Sequence, residues 1–120
     1  VCQKPVKPGE LGLRDYRWLS DALPGRNGAG DIDGLITQNK TGRALMLEFK
    51  PGGAALPLGQ RLALQLMVRK DIDVWVAWDE DLSNIEVRKL DRDGQLSGPR
   101  YVDQAGFAGM LRAWWDKGLA

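Results

Sequence analysis

The 120-residue chain reads as one α/β domain, residues 1–120, with helices flanking a single mixed β-sheet. Three observations lead there. Runs of β-branched and aromatic residues alternate along the chain with runs of good helix formers, rather than segregating into halves. The composition, 43% apolar and 28% charged, is that of an ordinary soluble globular domain. A chain of this length also buries about two-thirds of its unfolded surface, enough for a core without covalent staples.

Each element follows from local pattern. Residues 1–12 hold Pro5, Pro8, Gly9 and Gly12 among mixed charges and read as an N-terminal extended arm. Leu13 to Leu23 places Leu13, Tyr16, Leu19 and Leu23 near one helical face, and the Pro24–Gly30 loop ends that helix. Asp31 to Gln38 and Arg43 to Lys50 are two apolar strands joined by Asn39-Lys40-Thr41-Gly42, a hairpin signature. After a Gly/Pro/Ala loop, Leu58 to Lys70 is the clearest helix; its broad apolar arc predicts a mostly buried element with Arg61, Gln65 and Arg69 as the solvent stripe. Ile72 to Trp78 reads as a central strand. Ile85 to Leu90 is a further strand closed by the turn Asp91–Gly94, and Tyr101 to Asp103 adds an edge segment. Residues 104–118 form a C-terminal helix with Phe107, Met110, Leu111 and Trp114 on one stripe. The predicted order is α-β-β-α-β-β-α.

Composition removes whole classes of chemistry. The chain has no histidine and one cysteine, Cys2. Imidazole bases, Ser-His-Asp triads, His or Cys zinc sites, internal disulfides and CxxC redox pairs are therefore excluded. Any metal must be a hard cation on oxygen ligands. No apolar run reaches the roughly 18–20 residues of a membrane span, so no membrane partner is expected, and nothing points to an organic cofactor.

One constellation carries chemistry. Along Arg43 to Lys50, Leu45, Leu47 and Phe49 point to one face, so Glu48 and Lys50 share the other. Asp33 lies on the preceding strand of the hairpin, where its carboxylate and that of Glu48 can converge beside an ammonium. Two carboxylates helped by the Phe49 carbonyl suit Mg²⁺, with Mn²⁺ as a substitute, and such a metal assists phosphodiester hydrolysis. Lys50 would steer the attacking water and neutralise developing charge. Gln60 falls inside the apolar arc of its helix, between Ala63, Leu64 and Met67, and there it needs a polar partner; the strand end with Glu48 and Lys50 offers one. Asp31 is the alternative to Asp33 if the hairpin register shifts by two.

The pattern Asp33-Gly34-Leu35-Ile36, Leu47-Glu48-Phe49-Lys50, Gln60-Arg61 resembles the PD-(D/E)XK nuclease superfamily, and within it the small VRR-NUC type and related phage or prophage proteins. The resemblance spans roughly Leu13 to Trp78. It implies a restriction-endonuclease-like core, Asp33 and Glu48 as Mg²⁺ ligands, Lys50 as the catalytic lysine and Gln60 as the helix glutamine. It further implies a metal-dependent endonuclease acting on DNA, with branched DNA as one candidate substrate, in the cytoplasm of a bacterial or phage-infected host cell. Ile32 stands where the family name has Pro, and Glu10, Asp15 and Asp21 compete for the acidic position of the first helix.

Arg26, Lys40 and Arg61 are the candidate phosphate-backbone contacts. Asp79-Glu80-Asp81 reads as an acidic loop. Asp91-Arg92-Asp93-Gly94 resembles the start of a calcium loop but lacks its downstream ligands, and reads as a turn. A homodimer through the Trp114/Trp115 helix would let the enzyme cut both strands. The competing expectations are a nuclease-fold module that binds DNA or a protein without cutting, and a nuclease acting on RNA.

Overall fold

The computed structural model describes residues 33–119. The predicted arm, the helix over 13–23, Arg26 and Asp31 lie outside the described residues. By its internal packing the chain divides into residues 1–31 and residues 32–120, and everything below belongs to the second unit.

The described elements are β1 (Gly34–Gln38), β2 (Arg43–Pro51), α1 (Leu58–Arg69), β3 (Asp73–Asp79), β4 (Ile85–Lys89), β5 (Arg100–Val102) and α2 (Gln104–Leu119). The five strands form one mixed sheet in the order β1-β2-β3-β4-β5. β1 and β2 are an antiparallel hairpin with Gly34 opposite Leu47 and Gln38 opposite Arg43. Gly42 supplies the positive φ that its turn requires. β2 and β3 run parallel, Glu48 beside Val76 and Lys50 beside Trp78, with α1 as the crossover. β3, β4 and β5 continue as an antiparallel meander.

Alternation along the strands builds two cores. Leu45, Leu47, Trp75, Ala77, Ile85 and Val87 meet Met110 and Trp114 of α2 on one face. Phe107 stands edge-on to Trp75, centroids 6.4 Å apart. Met46, Val74, Val76 and Leu90 meet Leu64 of α1 on the other, with Met67 and Val68 against them. Covered on both faces, β3 is buried from Val74 through Ala77.

The ends of α2 are tied by side chains. At its start the Gly106 amide donates to Asp103 Oδ1 at 2.7 Å, an N-cap. Toward its far end the hairpin adds bonds to the helix backbone: Gln38 Nε2 donates to the Trp115 carbonyl at 2.8 Å and Arg43 Nη1 to that of Trp114 at 2.7 Å. Arg43 also lies 4.3 Å over the Trp114 ring, and the indole N–H donates to Asp73 Oδ2 at 2.6 Å. Gln38, 1% exposed, is therefore a buried amide with its partners supplied.

Several expectations are corrected. Among the described residues the order is β-β-α-β-β-β-α, because the edge segment is a true strand, β5, one residue earlier than predicted; the full α-β-β-α-β-β-α order is not seen. The strand predicted from Asp31 has its ladder from Gly34 only, with Asp33 in a bend ahead of it. On the helix expected to carry a dimer interface, Trp114 is buried in the core and Trp115 packs half-buried against it.

The largest error concerns α1, which is not mostly buried. Leu58, Leu62 and Leu66 are exposed at 70%, 51% and 56%, and only Leu64 is fully buried. Of the expected solvent stripe, Arg61 and Gln65 are turned partly inward while Arg69 stays exposed. Gln65 Nε2 and Arg69 Nε both donate to the Arg92 carbonyl, at 3.0 and 3.1 Å, and Gln65 and Arg61 are half-buried. The tight Asp91–Gly94 turn presents that carbonyl, while Leu64, Met67 and Val68 are the α1 residues that pack on the sheet.

Gly118 tests the clamp between α2 and the hairpin. A β-carbon there would collide with Gln38 Oε1 and Arg43 Nη1, whereas one at Gly109 meets open space. Gly118→Ala is expected to lower unfolding stability by about 1–3 kcal/mol. Gly109→Ala is expected to raise it by about 0.5–1 kcal/mol through helix propensity alone. Urea denaturation of both variants measures the contrast.

Candidate functional site

Because β2 and β3 are parallel, the chain leaving β2 must return across the sheet, and α1 starts beside the strand end it has just left. The connecting loop is pinned. The Ala54 amide donates to the Pro51 carbonyl at 3.0 Å, Trp78 Nε1 donates to the Ala54 carbonyl at 2.7 Å, and the Gly52 amide donates to Asp79 at 3.1 Å. The first turn of α1 is thereby held near the carboxyl end of β2, where Glu48 and Lys50 sit.

Glu48 lies on the α1 face of the sheet, its side chain 11% exposed. A carboxylate so far out of water needs donors. Gln60 Nε2, from the first turn of α1, donates to Glu48 Oε1. Lys50 Nζ stands 3.8 Å from the same oxygen. The shared face of Glu48 and Lys50, and the polar partner for Gln60, are both as the sequence indicates.

Asp33 reaches the site from the bend before β1. Its Oδ2 accepts the Phe49 amide at 2.8 Å. The ladder has Gly34 opposite Leu47, so this bond stands where the next rung of the hairpin would be. Within a strand the N–H and C=O of one residue point to the same side, so the Phe49 carbonyl faces the side on which Asp33 lies. Its ring is 43% exposed, beyond the cover of α2.

Asp33, Glu48 and the Phe49 carbonyl offer hard oxygen donors with an ammonium beside them. Among the described residues no three His, Cys, Asp or Glu side chains are grouped so that they could together hold a metal ion. A set of two carboxylates and a carbonyl is the kind Mg²⁺ accepts, because that ion keeps most of its water and takes one or two carboxylates. The buried Gln60 Oε1, which has no hydrogen-bond partner, offers a further acceptor next to Glu48. The donor chemistry fits the ion.

Other expected contacts fare differently. Arg61 follows Gln60 on α1 and is half-buried. Lys40 sits in the β1–β2 turn, beyond Arg43, and at about 3.3 Å per strand residue Arg43 is itself roughly 17 Å from Glu48. Lys40 is therefore not part of this cluster.

A feature not anticipated is a cavity of about 350 Å³ lined by Trp78, Asp79, Glu80, Asp81, Glu86 and Tyr101. The acidic loop is read from the sequence; its union with Glu86 and Tyr101 depends on the β4–β5 register that sets them opposite each other. Within it Asp81 accepts from Ser83, and the Ser83 hydroxyl first, then its amide, hold the Asp81 carboxyl below the ordinary aspartate value.

Compared with known proteins, the chain matches no family model, no curated protein and no solved structure.

Two outcomes follow from this geometry. Gln60→Leu should destabilise the fold by about 1–3 kcal/mol, since Glu48 loses a donor while remaining enclosed, measurable by urea denaturation. Asp81 should titrate below the ordinary aspartate range in carboxyl NMR, and Ser83→Ala should move it upward. A depressed folded value means that this contribution to stability is present above the ordinary value and is lost as pH falls through the folded one.

Proposed function

We propose that the chain is a Mg²⁺-dependent nuclease of the PD-(D/E)XK kind that hydrolyses phosphodiester bonds in DNA. The observation that carries this reading is the convergence of Glu48, Lys50 and Gln60 at the carboxyl end of β2, with Asp33 on the next amide. An antiparallel hairpin followed by a helix and a parallel strand also accords with a restriction-endonuclease-like core.

Asp33, Glu48 and the Phe49 carbonyl would hold the metal. When bound, Mg²⁺ supplies Lewis-acid polarisation of the scissile phosphate and lowers the pKa of the attacking water. The protein's own groups do the rest. Gln60 fixes the rotamer of Glu48, and the Phe49 amide fixes that of Asp33, so the carboxylates are oriented before substrate arrives. Lys50, only loosely paired at 3.8 Å, can turn toward the phosphate and offset the charge that grows there. A water oxygen forms the new P–O bond, the ester P–O bond breaks, and the departing oxygen takes up a proton.

The reading includes a bacterial or phage-infected cytoplasm and Mn²⁺ as a working substitute. It allows a preference for branched DNA and a homodimer that cuts both strands through a surface other than the buried Trp114. Among the described residues no helix is long and apolar enough to cross a membrane.

Supercoiled, linear, single-stranded and four-way-branched DNA, with RNA in parallel, should be incubated with Mg²⁺, Mn²⁺ or EDTA. Metal-dependent cutting of DNA is expected, with Glu48→Ala and Lys50→Ala each reducing it by about 100-fold or more while remaining folded. Cutting confined to RNA would move the substrate. A folded protein that cuts nothing would instead be a binding module on a nuclease-like scaffold.

A further inference from the structure

We infer that Arg61 grips a backbone phosphate of the bound strand next to the one that is cut, acting as a substrate-positioning residue; this rests on the nuclease reading above. The argument begins with how the described cations are partnered. Four of them are half-buried: Arg43, Lys50, Arg61 and Arg88. Arg43 pairs with Asp73, Lys50 with Glu48 and Arg88 with Glu86. Arg61 alone among these four has no ion pair. The fully exposed cations, Lys40 and Lys70 for example, have water and need none.

Arg61 carries a second anomaly. Its Nε is buried without a hydrogen-bond partner, and the only other described side-chain atom in that condition is Oε1 of Gln60, the preceding residue. A guanidinium N–H withdrawn from water with no acceptor is unfavourable, and folded proteins seldom leave one so. Arg61 Nε is thus a donor left for an acceptor from outside the described residues, and a phosphate oxygen is one that a guanidinium binds well. Gln60 meanwhile keeps its Nε2 on Glu48, so the same turn touches both the carboxylate and the substrate.

The surroundings favour an anion. The first turn of α1 contains no acidic residue and no capping side chain, so no carboxylate there competes for Arg61. A planar fork with several N–H groups suits phosphate oxygens better than a lysine point charge. Arg61 thus differs from Lys40, which is distant and can contribute only to the general field.

The test measures binding of the full chain to labelled DNA single strands, DNA duplexes and RNA duplexes in EDTA, between 50 and 200 mM salt as an assay range bracketing physiological ionic strength. Wild type is compared with Arg61→Ala, Arg61→Gln and Arg61→Lys, and with Arg69→Ala, an exposed arginine already bonded to Arg92. Arg61→Ala and Arg61→Gln should each weaken binding roughly tenfold and reduce the slope of log affinity against log salt by about 1. Arg61→Lys should restore the slope but only part of the affinity. In cleavage assays KM should rise more than kcat falls. Unchanged affinity and slope in folded Arg61→Ala and Arg61→Gln, or an equal loss in Arg69→Ala, overturns the inference. If wild type binds without cutting and Arg61→Ala still loses the slope, the phosphate contact stands and the nuclease reading falls. If wild type cuts and Arg61 variants bind normally, this inference alone falls. Absence of any nucleic-acid binding overturns both, and the DNA and RNA arms identify whose phosphate it is.

Discussion

The parallel pairing of β2 with β3 is the constraint on which the rest of the structure depends. Two neighbouring strands in the same direction cannot be joined by a tight turn, so the chain must cross over, and here α1 is the crossover. The helix necessarily begins where β2 ends. That single fact brings Gln60 to Glu48, on the face that Lys50 shares. Open α/β sheets place ligands outside the carboxyl ends of their strands for the same reason.

The two ends of the hairpin treat polarity in opposite ways. At the turn end, Gln38, Arg43, Asp73 and the carbonyls of Trp114 and Trp115 satisfy one another, and the result is a rigid joint between α2 and the sheet. At the strand end the buried polar groups are held but incompletely answered, with Gln60 Oε1 and Arg61 Nε left over. A closed network serves stability. An unfinished one is where departures from local consistency accompany function.

How much of this was legible follows from the range of the interactions. Glu48 and Lys50 sharing a face is a consequence of period two, and Gln60 needing a partner is a consequence of the helical wheel; both are local, and both are seen. The stripe of Phe107, Met110, Leu111 and Trp114 likewise packs on the core. The exposure of one flank of α1 was not legible, because the bonds of Gln65 and Arg69 run to a carbonyl of Arg92, more than twenty residues along the chain. Gln38 looked like the last residue of a strand; its burial depends on a helix carbonyl far along the chain. Asp33 was expected on the strand and stands just before it, since the side chain, not the backbone, makes the final rung with Phe49.

Gly118 carries one more implication. Positions in the last turn of a helix ordinarily tolerate almost any residue, because few neighbours constrain them. Here the space a side chain would fill already belongs to Gln38 and Arg43. A position in the last turn of this helix is thus held to glycine's size by side chains of the hairpin. Sequence drift and the attachment of reporters should be better tolerated on the far flank of that helix than on the flank of its last glycine.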